Sequence, residues 1–278
     1  MVQKSFLERM ARLWLVPVVL MALMLVTPSS LVAQDWAKAK LNKSPRHQEW
    51  VTIQYAHRKV QAYVVYPEVK GKAPVVMLVH EIFGLSDWAR SMADDLAAEG
   101  YIVIVPDLLS EHGPKGGGSS DFPDMDSTVK AVFQLDPRQV MSDLKATADY
   151  AVKLPSANGK LAVAGFCWGG GQAFTFATLY PNLNAAFVFY GSAPEAGAMK
   201  AITAPVYGFY AGDDARITAT VPATTTAMQA AGAVYQPVIY DGAGHGFMRA
   251  GEAPDASPAN RKARDEALAR MLALLKKM

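Results

Sequence analysis

This sequence contains little cysteine and almost no excess of either positive or negative charge. Its 278 residues include a single cysteine, Cys167, so an internal disulfide is excluded. The formal net charge is only +2, and the basic residues are scattered along the chain rather than grouped on one segment. Because nucleic-acid binding depends on a concentrated basic surface, we expect no nucleic-acid partner.

A long apolar run is also missing. The uncharged stretch near the N-terminus, Leu13–Val26, is shorter than the roughly 20 residues that span a bilayer. Basic residues precede it and small polar residues follow it, so we predict that residues 1–33 are a secretory signal peptide cleaved after Ala33. An uncleaved N-terminal anchor is the alternative, whereas a lipoprotein anchor is excluded because no cysteine follows the run. We therefore expect a periplasmic or secreted protein that is free of the membrane after cleavage.

The rest of the chain is expected to form one domain. It contains no internal repeat and no coiled-coil heptads, and 51% of all residues are hydrophobic, which is enough for a sizeable core. We predict an N-terminal extension over residues 34–49 and a single monomeric domain over residues 50–278.

Strand and helix patterns alternate along this domain. Short apolar runs predict strands at Val51–Tyr55, Val60–Tyr66, Pro74–His80, Tyr101–Pro106, Leu161–Gly165, Ala185–Tyr190, Pro205–Tyr210 and Val234–Tyr240. Longer amphipathic runs predict helices at Asp87–Ala98, Val140–Lys153, Gly170–Leu179, Pro222–Ala231 and Asn260–Lys277. This alternation favours an α/β class with a mainly parallel central sheet and helices on both faces, in the order of the α/β-hydrolase fold.

The connection Asp107–Arg138 interrupts the alternation. It is too long for an ordinary loop between a strand and a helix, and it is rich in glycine, proline, serine and aspartate. We interpret it as a flap near the mouth of the site. A mobile surface excursion is the alternative.

The segment Gly165–Gly170 (G-F-C-W-G-G) lies between a predicted strand and a predicted helix. Its spacing is that of a nucleophile elbow, G-x-nucleophile-x-G, with Cys167 where serine is usual. The turn is too tight for side chains at the glycines, and the following helix N-terminus favours a thiolate. A lone cysteine is otherwise most often a buried structural residue, but this context favours a nucleophile.

A cysteine nucleophile needs a base, for which His245 is the best candidate. It follows the last predicted strand, and flanking glycines allow a loop to present its imidazole. The acid that orients the imidazole should follow the preceding strand, where Asp213 and Asp214 are adjacent. We favour Asp214 because the apolar Ile217 follows it closely and can return the chain to the core, while Asp213 suits a turn cap. The sequence leaves this choice open.

Several motifs together resemble the dienelactone hydrolase (carboxymethylenebutenolidase) family. They are H-E-I-F-G-L from His80, Y-I-V-I-V-P-D-L from Tyr101, G-F-C-W-G-G from Gly165, G-D-D-A-R-I from Gly212 and G-A-G-H-G-F-M-R from Gly242. The resemblance covers roughly residues 50–277. It implies a hydrolase of small esters or lactones with a Cys167, Asp214 and His245 triad, an acyl-thioester intermediate, and no metal or organic cofactor.

The resemblance also implies roles for residues around the triad. Glu81 takes the position of a carboxylate that contacts the resting thiol and helps to remove its proton, with a surface carboxylate as the alternative. The backbone N–H groups of Ile82 and Trp168 take the oxyanion-hole positions. Arg249 takes the position of an arginine that binds a substrate carboxylate, with a solvated surface arginine as the alternative.

One departure from the family pattern leaves the substrate open. The family has a second carboxylate-binding arginine in the flap region, but residues 107–137 contain none. Trp168 also places a bulky aromatic side chain beside the nucleophile. The sequence therefore does not identify a small acidic lactone as the preferred substrate.

Other functions compete with a cysteine hydrolase. A metal-dependent hydrolase would draw on ligands whose spacing fits no known motif, namely His80, Glu81, His112, Asp121, Asp124 and Asp126. A thiol redox sensor would need a resolving cysteine, which the sequence lacks. The main alternative is an exported, catalytically silent binding protein on the same fold.

Overall fold

A computed structural model describes residues 35–278 of the chain. The predicted signal segment, residues 1–33, lies outside the described residues. Within them, the strands form one 8-stranded sheet in the order β1-β2-β4-β3-β5-β6-β7-β8. The strands are β1 (Gln48–Tyr55), β2 (Arg58–Val65), β3 (Ala73–Val79), β4 (Ile102–Pro106), β5 (Ala157–Phe166), β6 (Ala185–Phe189), β7 (Val206–Ala211) and β8 (Tyr235–Tyr240).

The sheet is parallel except at one edge. β1 pairs antiparallel with β2, and β2 antiparallel with β4, while the neighbouring pairs from β4 through β3 to β8 are parallel. Every residue of β4 and β6 is buried, as expected for parallel strands covered on both faces. This is the mainly parallel sheet that the sequence predicts.

Helices cover both faces of the sheet. They are α1 (Asp35–Leu41), α2 (Asp87–Ala98), α3 (Met125–Phe133), α4 (Pro137–Ala151), α5 (Trp168–Ala177), α6 (Ala215–Thr218), α7 (Val221–Ala230), α8 (Phe247–Ala250) and α9 (Pro258–Leu275). The apolar faces of α4, α5 and α7 belong to the core on one side, and those of α1, α2 and α9 to the core on the other. Among residues 35–278, no helix is both long enough and apolar enough to span a bilayer.

The predicted N-terminal extension packs against the domain. Ala37 of α1 is fully buried, and Arg46 donates hydrogen bonds to the buried carboxylate of Asp94 in α2, at 2.8 Å from Nε and 2.5 Å from Nη2. Strand β1 already begins at Gln48, inside the segment predicted as an extension. Residues 35–49 are thus part of the packed structure.

The connection between β4 and α4 is more ordered than a loop. It contains a 3₁₀ turn at Ser119–Asp121 and the helix α3, whose first turn is capped by the Asp124 side chain. The carboxylate of Asp107 accepts hydrogen bonds from the Ser119 N–H at 2.7 Å and hydroxyl at 2.6 Å, which tie the segment to the end of β4. The segment interpreted as a flap therefore carries secondary structure that the sequence analysis did not predict. With nine residues, of which only Thr128 and Val132 are buried, α3 gives too weak a periodic signal to be recognised.

Candidate active site

The predicted site residues follow different strands of the parallel sheet. Cys167 follows β5, Asp214 follows β7, His245 follows β8 and Glu81 follows β3. Because the carboxyl ends of parallel strands meet at one edge of the sheet, residues far apart in sequence come together there.

The backbone at Cys167 has the strained geometry of a nucleophile elbow. Its φ of 57° and ψ of −121° are unusual for a residue with a side chain. A Cβ atom at Gly165 would overlap the carbonyl oxygen of Gly169, and one at Gly169 would overlap the carbonyl oxygens of Val79 and His80. The glycines therefore allow α5 to begin directly against the ends of β3 and β5.

A chain of hydrogen bonds joins Cys167, His245 and Asp214. His245 Nε2 lies 3.0 Å from Cys167 Sγ, and His245 Nδ1 lies 2.5 Å from Asp214 Oδ2. The ionised carboxylate of Asp214 can only accept a hydrogen bond, so Nδ1 of His245 carries the ring proton. Nε2 is then free to accept a proton from the Cys167 thiol. Asp214 is buried, whereas the adjacent Asp213 is exposed.

The Cys167 thiol is held neutral in the resting protein. Burial and, next to it, the negative charge of Glu81 raise its pKa to about 11, against the opposing effects of nearby N–H groups and Arg216. A neutral thiol is a poor nucleophile and is less easily oxidised, so a thiolate must be generated by a base.

Two backbone N–H groups point at the Cys167 sulfur. They belong to Trp168, the first residue of α5, and Ile82, in the loop after β3, and both lower the pKa of the thiol. A carbonyl carbon bonded to this sulfur would place its oxygen close to the same two donors. The geometry can thus stabilise an oxyanion.

Glu81 pairs with Arg249 rather than with the thiol. Arg249 Nε donates to Glu81 Oε2 at 2.8 Å, and the guanidinium carbon lies 4.9 Å from the centre of the Phe83 ring. Burial raises the pKa of Glu81, and the attraction of Arg249 works in the opposite direction. This differs from the expected contact between Glu81 and the resting thiol, because a buried carboxylate is better compensated by a guanidinium than by a neutral thiol.

Cys167, His245, Glu81 and Arg249 line a cleft of about 360 Å³. Its lining residues are Glu81, Ile82, Phe83, Phe133, Cys167, Trp168, Tyr190, Ser192, Arg216, Ile217, His245 and Arg249. Phe133, at the end of α3, shows that the predicted flap segment does reach the cleft. A larger groove of about 690 Å³ runs along β1 and α4, and its lining, all within the described residues, contains neither cysteine nor histidine.

Arg216 and Tyr190 are cleft residues to which the sequence analysis assigned no role. Arg216 lies within the motif G-D-D-A-R-I, two residues after Asp214, and this closeness in sequence could have indicated that it lines the cleft. Tyr190 gave no such signal, because an aromatic residue at the end of a buried strand usually belongs to the core. Its ring packs edge-on against His245, with 5.0 Å between ring centres, and burial keeps its pKa well above the ordinary value. Tyr190 thus supports the imidazole as a neutral phenol.

The residues considered as metal ligands do not form a metal site. Across residues 35–278, no three His, Cys, Asp or Glu side chains are grouped so as to hold a metal ion. His80 is fully engaged with backbone groups, and Asp107 and Asp121 bind backbone N–H groups of their own loop.

Comparison with known proteins identifies the family. A family model described as the dienelactone hydrolase family matches residues 60–278. A candidate carboxymethylenebutenolidase of Yersinia pestis is 34% identical over 209 residues, which cover 70% of this chain and 77% of the relative. One from Salmonella typhi is 33% identical over 199 residues, covering 67% and 72%.

The fold comparison agrees with the sequence comparison. The crystal structure of a candidate dienelactone hydrolase from Klebsiella pneumoniae superimposes with a TM-score of 0.73 at 28% identity, covering 84% of this chain and 99% of that one. The predicted family and the predicted α/β-hydrolase fold are both confirmed. The chain belongs to the dienelactone hydrolase family and is a dienelactone hydrolase-like hydrolase.

Proposed function

We propose that this protein hydrolyses small carboxylic esters or lactones with Cys167 as nucleophile, His245 as general base and Asp214 as the acid that orients His245. The observation that carries the proposal is the continuous chain of hydrogen bonds from the thiol through the imidazole to a buried carboxylate. Cys167 and His245 line the cleft together with Ile82 and Trp168, whose N–H groups face the sulfur. Asp214 is buried and bonded to His245, so the chemistry needs no external cofactor.

In the acylation step, His245 Nε2 takes the thiol proton as Cys167 Sγ attacks the substrate carbonyl carbon. The carbonyl oxygen becomes an oxyanion, which accepts hydrogen bonds from the N–H groups of Ile82 and Trp168. The C–O bond of the ester then breaks, His245 returns the proton to the leaving oxygen, and an acyl-thioester remains on Cys167.

In the deacylation step, a water molecule gives a proton to His245 and attacks the thioester carbonyl. The same N–H donors hold the second oxyanion, the C–S bond breaks, and the acid product leaves while Cys167 recovers its proton. The Asp214 carboxylate stabilises the imidazolium in both steps because its Oδ2 accepts a hydrogen bond from the Nδ1–H group, at 2.5 Å.

The cleft favours a substrate with an apolar or aromatic part. Its aromatic lining comes from Phe83, Phe133, Trp168 and Tyr190, and its cationic groups are Arg216 and Arg249. Arg249 is already paired with Glu81, so an anionic substrate would have to compete with that carboxylate for it. We expect simple aryl esters to be accepted at least as well as a dienelactone.

The test is a substrate panel containing a dienelactone and simple aryl esters, with Cys167→Ala as the matched control. We expect hydrolysis that a thiol alkylator abolishes, that a chelator leaves intact, and that the variant lacks. Turnover that is lost with a chelator and kept by Cys167→Ala would establish a metal-dependent hydrolase instead. An absence of Cys167-dependent turnover on every substrate would favour the silent binding protein.

The proposal includes export before catalysis. The support is the basic, then apolar, then small polar pattern of residues 1–33. N-terminal sequencing of the protein recovered from a fractionated bacterial host should give Gln34 as the first residue in the periplasmic or extracellular fraction. Recovery of the full-length chain from the membrane fraction would establish the uncleaved anchor.

A further inference from the structure

His80, at the end of β3, is a buried histidine that the proposed mechanism does not use. Its Nδ1 lies 2.7 Å from the carbonyl oxygen of Glu81, and its Nε2 accepts a hydrogen bond from the Leu108 N–H at 3.3 Å. A carbonyl can only accept and an N–H can only donate, so the two partners together hold His80 in the neutral form protonated at Nδ1. The ring is only 1% exposed, so water does not replace either partner.

The carbonyl that His80 binds belongs to the same peptide unit as an oxyanion donor. The Glu81–Ile82 peptide is trans, so the Glu81 carbonyl and the Ile82 N–H point in opposite directions from one plane. Holding the carbonyl toward His80 therefore directs the N–H toward Cys167. The Gly84 N–H also donates to this carbonyl, at a longer 3.3 Å.

The same imidazole contacts the side chain of Trp168, the residue that carries the second oxyanion donor. The His80 ring stacks on the Trp168 indole, with 5.8 Å between ring centres and 23° between planes. The backbone of Val79 and His80 also packs so closely on Gly169 that a side chain there would overlap it. One residue thus contacts the segments that carry both N–H groups.

We propose that His80 is a positioning residue for the oxyanion hole, which it maintains by holding the Glu81–Ile82 peptide in the orientation that directs the Ile82 N–H at the reacting carbonyl oxygen. This inference rests on the proposed function, since it assigns a role within that mechanism. Without the Nδ1 donor, the peptide plane can rotate and one of the two oxyanion donors is lost.

Two amide variants separate the hydrogen bonds of His80. The side-chain nitrogen of His80→Asn can occupy the place of Nδ1 and still donate to the Glu81 carbonyl. The longer side chain of His80→Gln reaches the place of Nε2 and can still accept from the Leu108 N–H. Each variant removes one of the two hydrogen bonds and the aromatic stack, so they are matched in what they remove from the fold.

The experiment measures kcat and KM for 4-nitrophenyl acetate, with active sites counted by titration of the Cys167 thiol. We expect His80→Gln to lower kcat by about 10²-fold, the loss typical of one oxyanion donor, with little change in KM. His80→Asn should retain most of the wild-type kcat.

Equal losses of kcat in the two variants, or losses that disappear after correction for titratable thiol, would show that His80 is only structural. Wild-type kcat in His80→Gln would overturn the inference while leaving the cysteine mechanism intact. Wild-type turnover that persists in Cys167→Ala would instead overturn the mechanism itself, so the two failures are distinguishable.

Discussion

Two adjacent carboxylates, Asp213 and Asp214, differ in what they contact. Asp214 is buried with its Oδ2 at 2.5 Å from His245 Nδ1, while Asp213 is exposed and its backbone N–H binds the Ala243 carbonyl. Sequence reasoning favoured Asp214 but could not exclude Asp213, because neighbours in a turn share the same local signals.

We predict that Asp214→Asn lowers kcat on an aryl ester by roughly 10³–10⁴-fold, because an amide no longer holds the imidazole in the reactive tautomer. Asp213→Asn is the matched control and should leave kcat near wild type. Steady-state kinetics of the two variants decide the assignment, and a larger loss in Asp213→Asn would reverse it.

The charges around Cys167 make a second prediction at the residue scale. Burial and then Glu81 raise the pKa of the thiol, to about 11, whereas Arg216 lowers it. The thiolate, which is the form that iodoacetamide alkylates, should therefore increase as the pH rises toward that value. Glu81→Gln should lower the pKa and speed alkylation at pH 8, because a negative charge is removed.

Arg216→Gln provides the control of opposite sign. Removing a positive charge should raise the thiol pKa and slow alkylation at the same pH. The measurement is the alkylation rate of the resting protein as a function of pH. Profiles that shift in the same direction for both variants would contradict the electrostatic account.

Among the elements, the turn from β5 to α5 is tightly constrained. Its strained residue is Cys167. The turn can form because glycine at positions 165 and 169 lets α5 start directly against the ends of β3 and β5. The sequence predicted this elbow because glycine spacing between a strand and a helix is a local signal. It could not predict α3, which buries only Thr128 and Val132.

We predict that Gly165→Ala lowers the free energy of unfolding by about 3 kcal/mol, the upper range for an overpacked interior, because the new Cβ overlaps the Gly169 carbonyl. Gly197→Ala is the control, since its Cβ would meet open space, and we expect a change within about 0.5 kcal/mol. Urea denaturation measures both. A wild-type stability for Gly165→Ala would show that the elbow can relax.

At the scale of the whole molecule, an ion pair joins the N-terminal segment to the sheet-covering helix α2. The Asp94 side chain is 2% exposed and the Arg46 side chain 15%, with 2.5 Å between Oδ2 and Nη2. Burial acts to raise the pKa of Asp94, but hydrogen bonds from Arg46 and Ser44 outweigh it and hold the pKa below its ordinary 3.8.

We predict that Arg46→Ala lowers the free energy of unfolding at pH 7 by about 3 kcal/mol, because it leaves a buried carboxylate without its guanidinium. Arg138→Ala is the control, since that arginine side chain is 93% exposed in its pair with Asp136 and its removal should leave the free energy of unfolding close to that of the wild type. Urea denaturation of both variants measures the difference.

The pH dependence of the Arg46 effect has a definite sign. A carboxylate whose pKa is lowered by folding stabilises the protein above its unfolded pKa of about 3.8, and that contribution is lost as the pH falls through the folded value. The difference between wild type and Arg46→Ala should therefore shrink below about pH 4. A difference that stays constant there would assign the effect to lost packing of the arginine stem.

The sequence by itself determined the order of the strands and of the five helices α2, α4, α5, α7 and α9, the elbow with Cys167, and the family. These follow from local patterns, because glycine spacing, hydrophobic period and motif identity are all written in neighbouring residues. The catalytic roles predicted for Cys167, His245, Asp214 and Glu81 stay predictions until the variants are measured.

Only the tertiary structure decided which side chains meet at the carboxyl edge of the sheet. It paired Glu81 with Arg249, placed Arg216 in the cleft, separated Asp213 from Asp214 and brought His80 against Leu108 and Trp168. These contacts join residues that are distant in sequence or differ only in the direction in which a turn presents them. They depend on the register of the strands and the packing of helices on the sheet, which no local pattern of residues specifies.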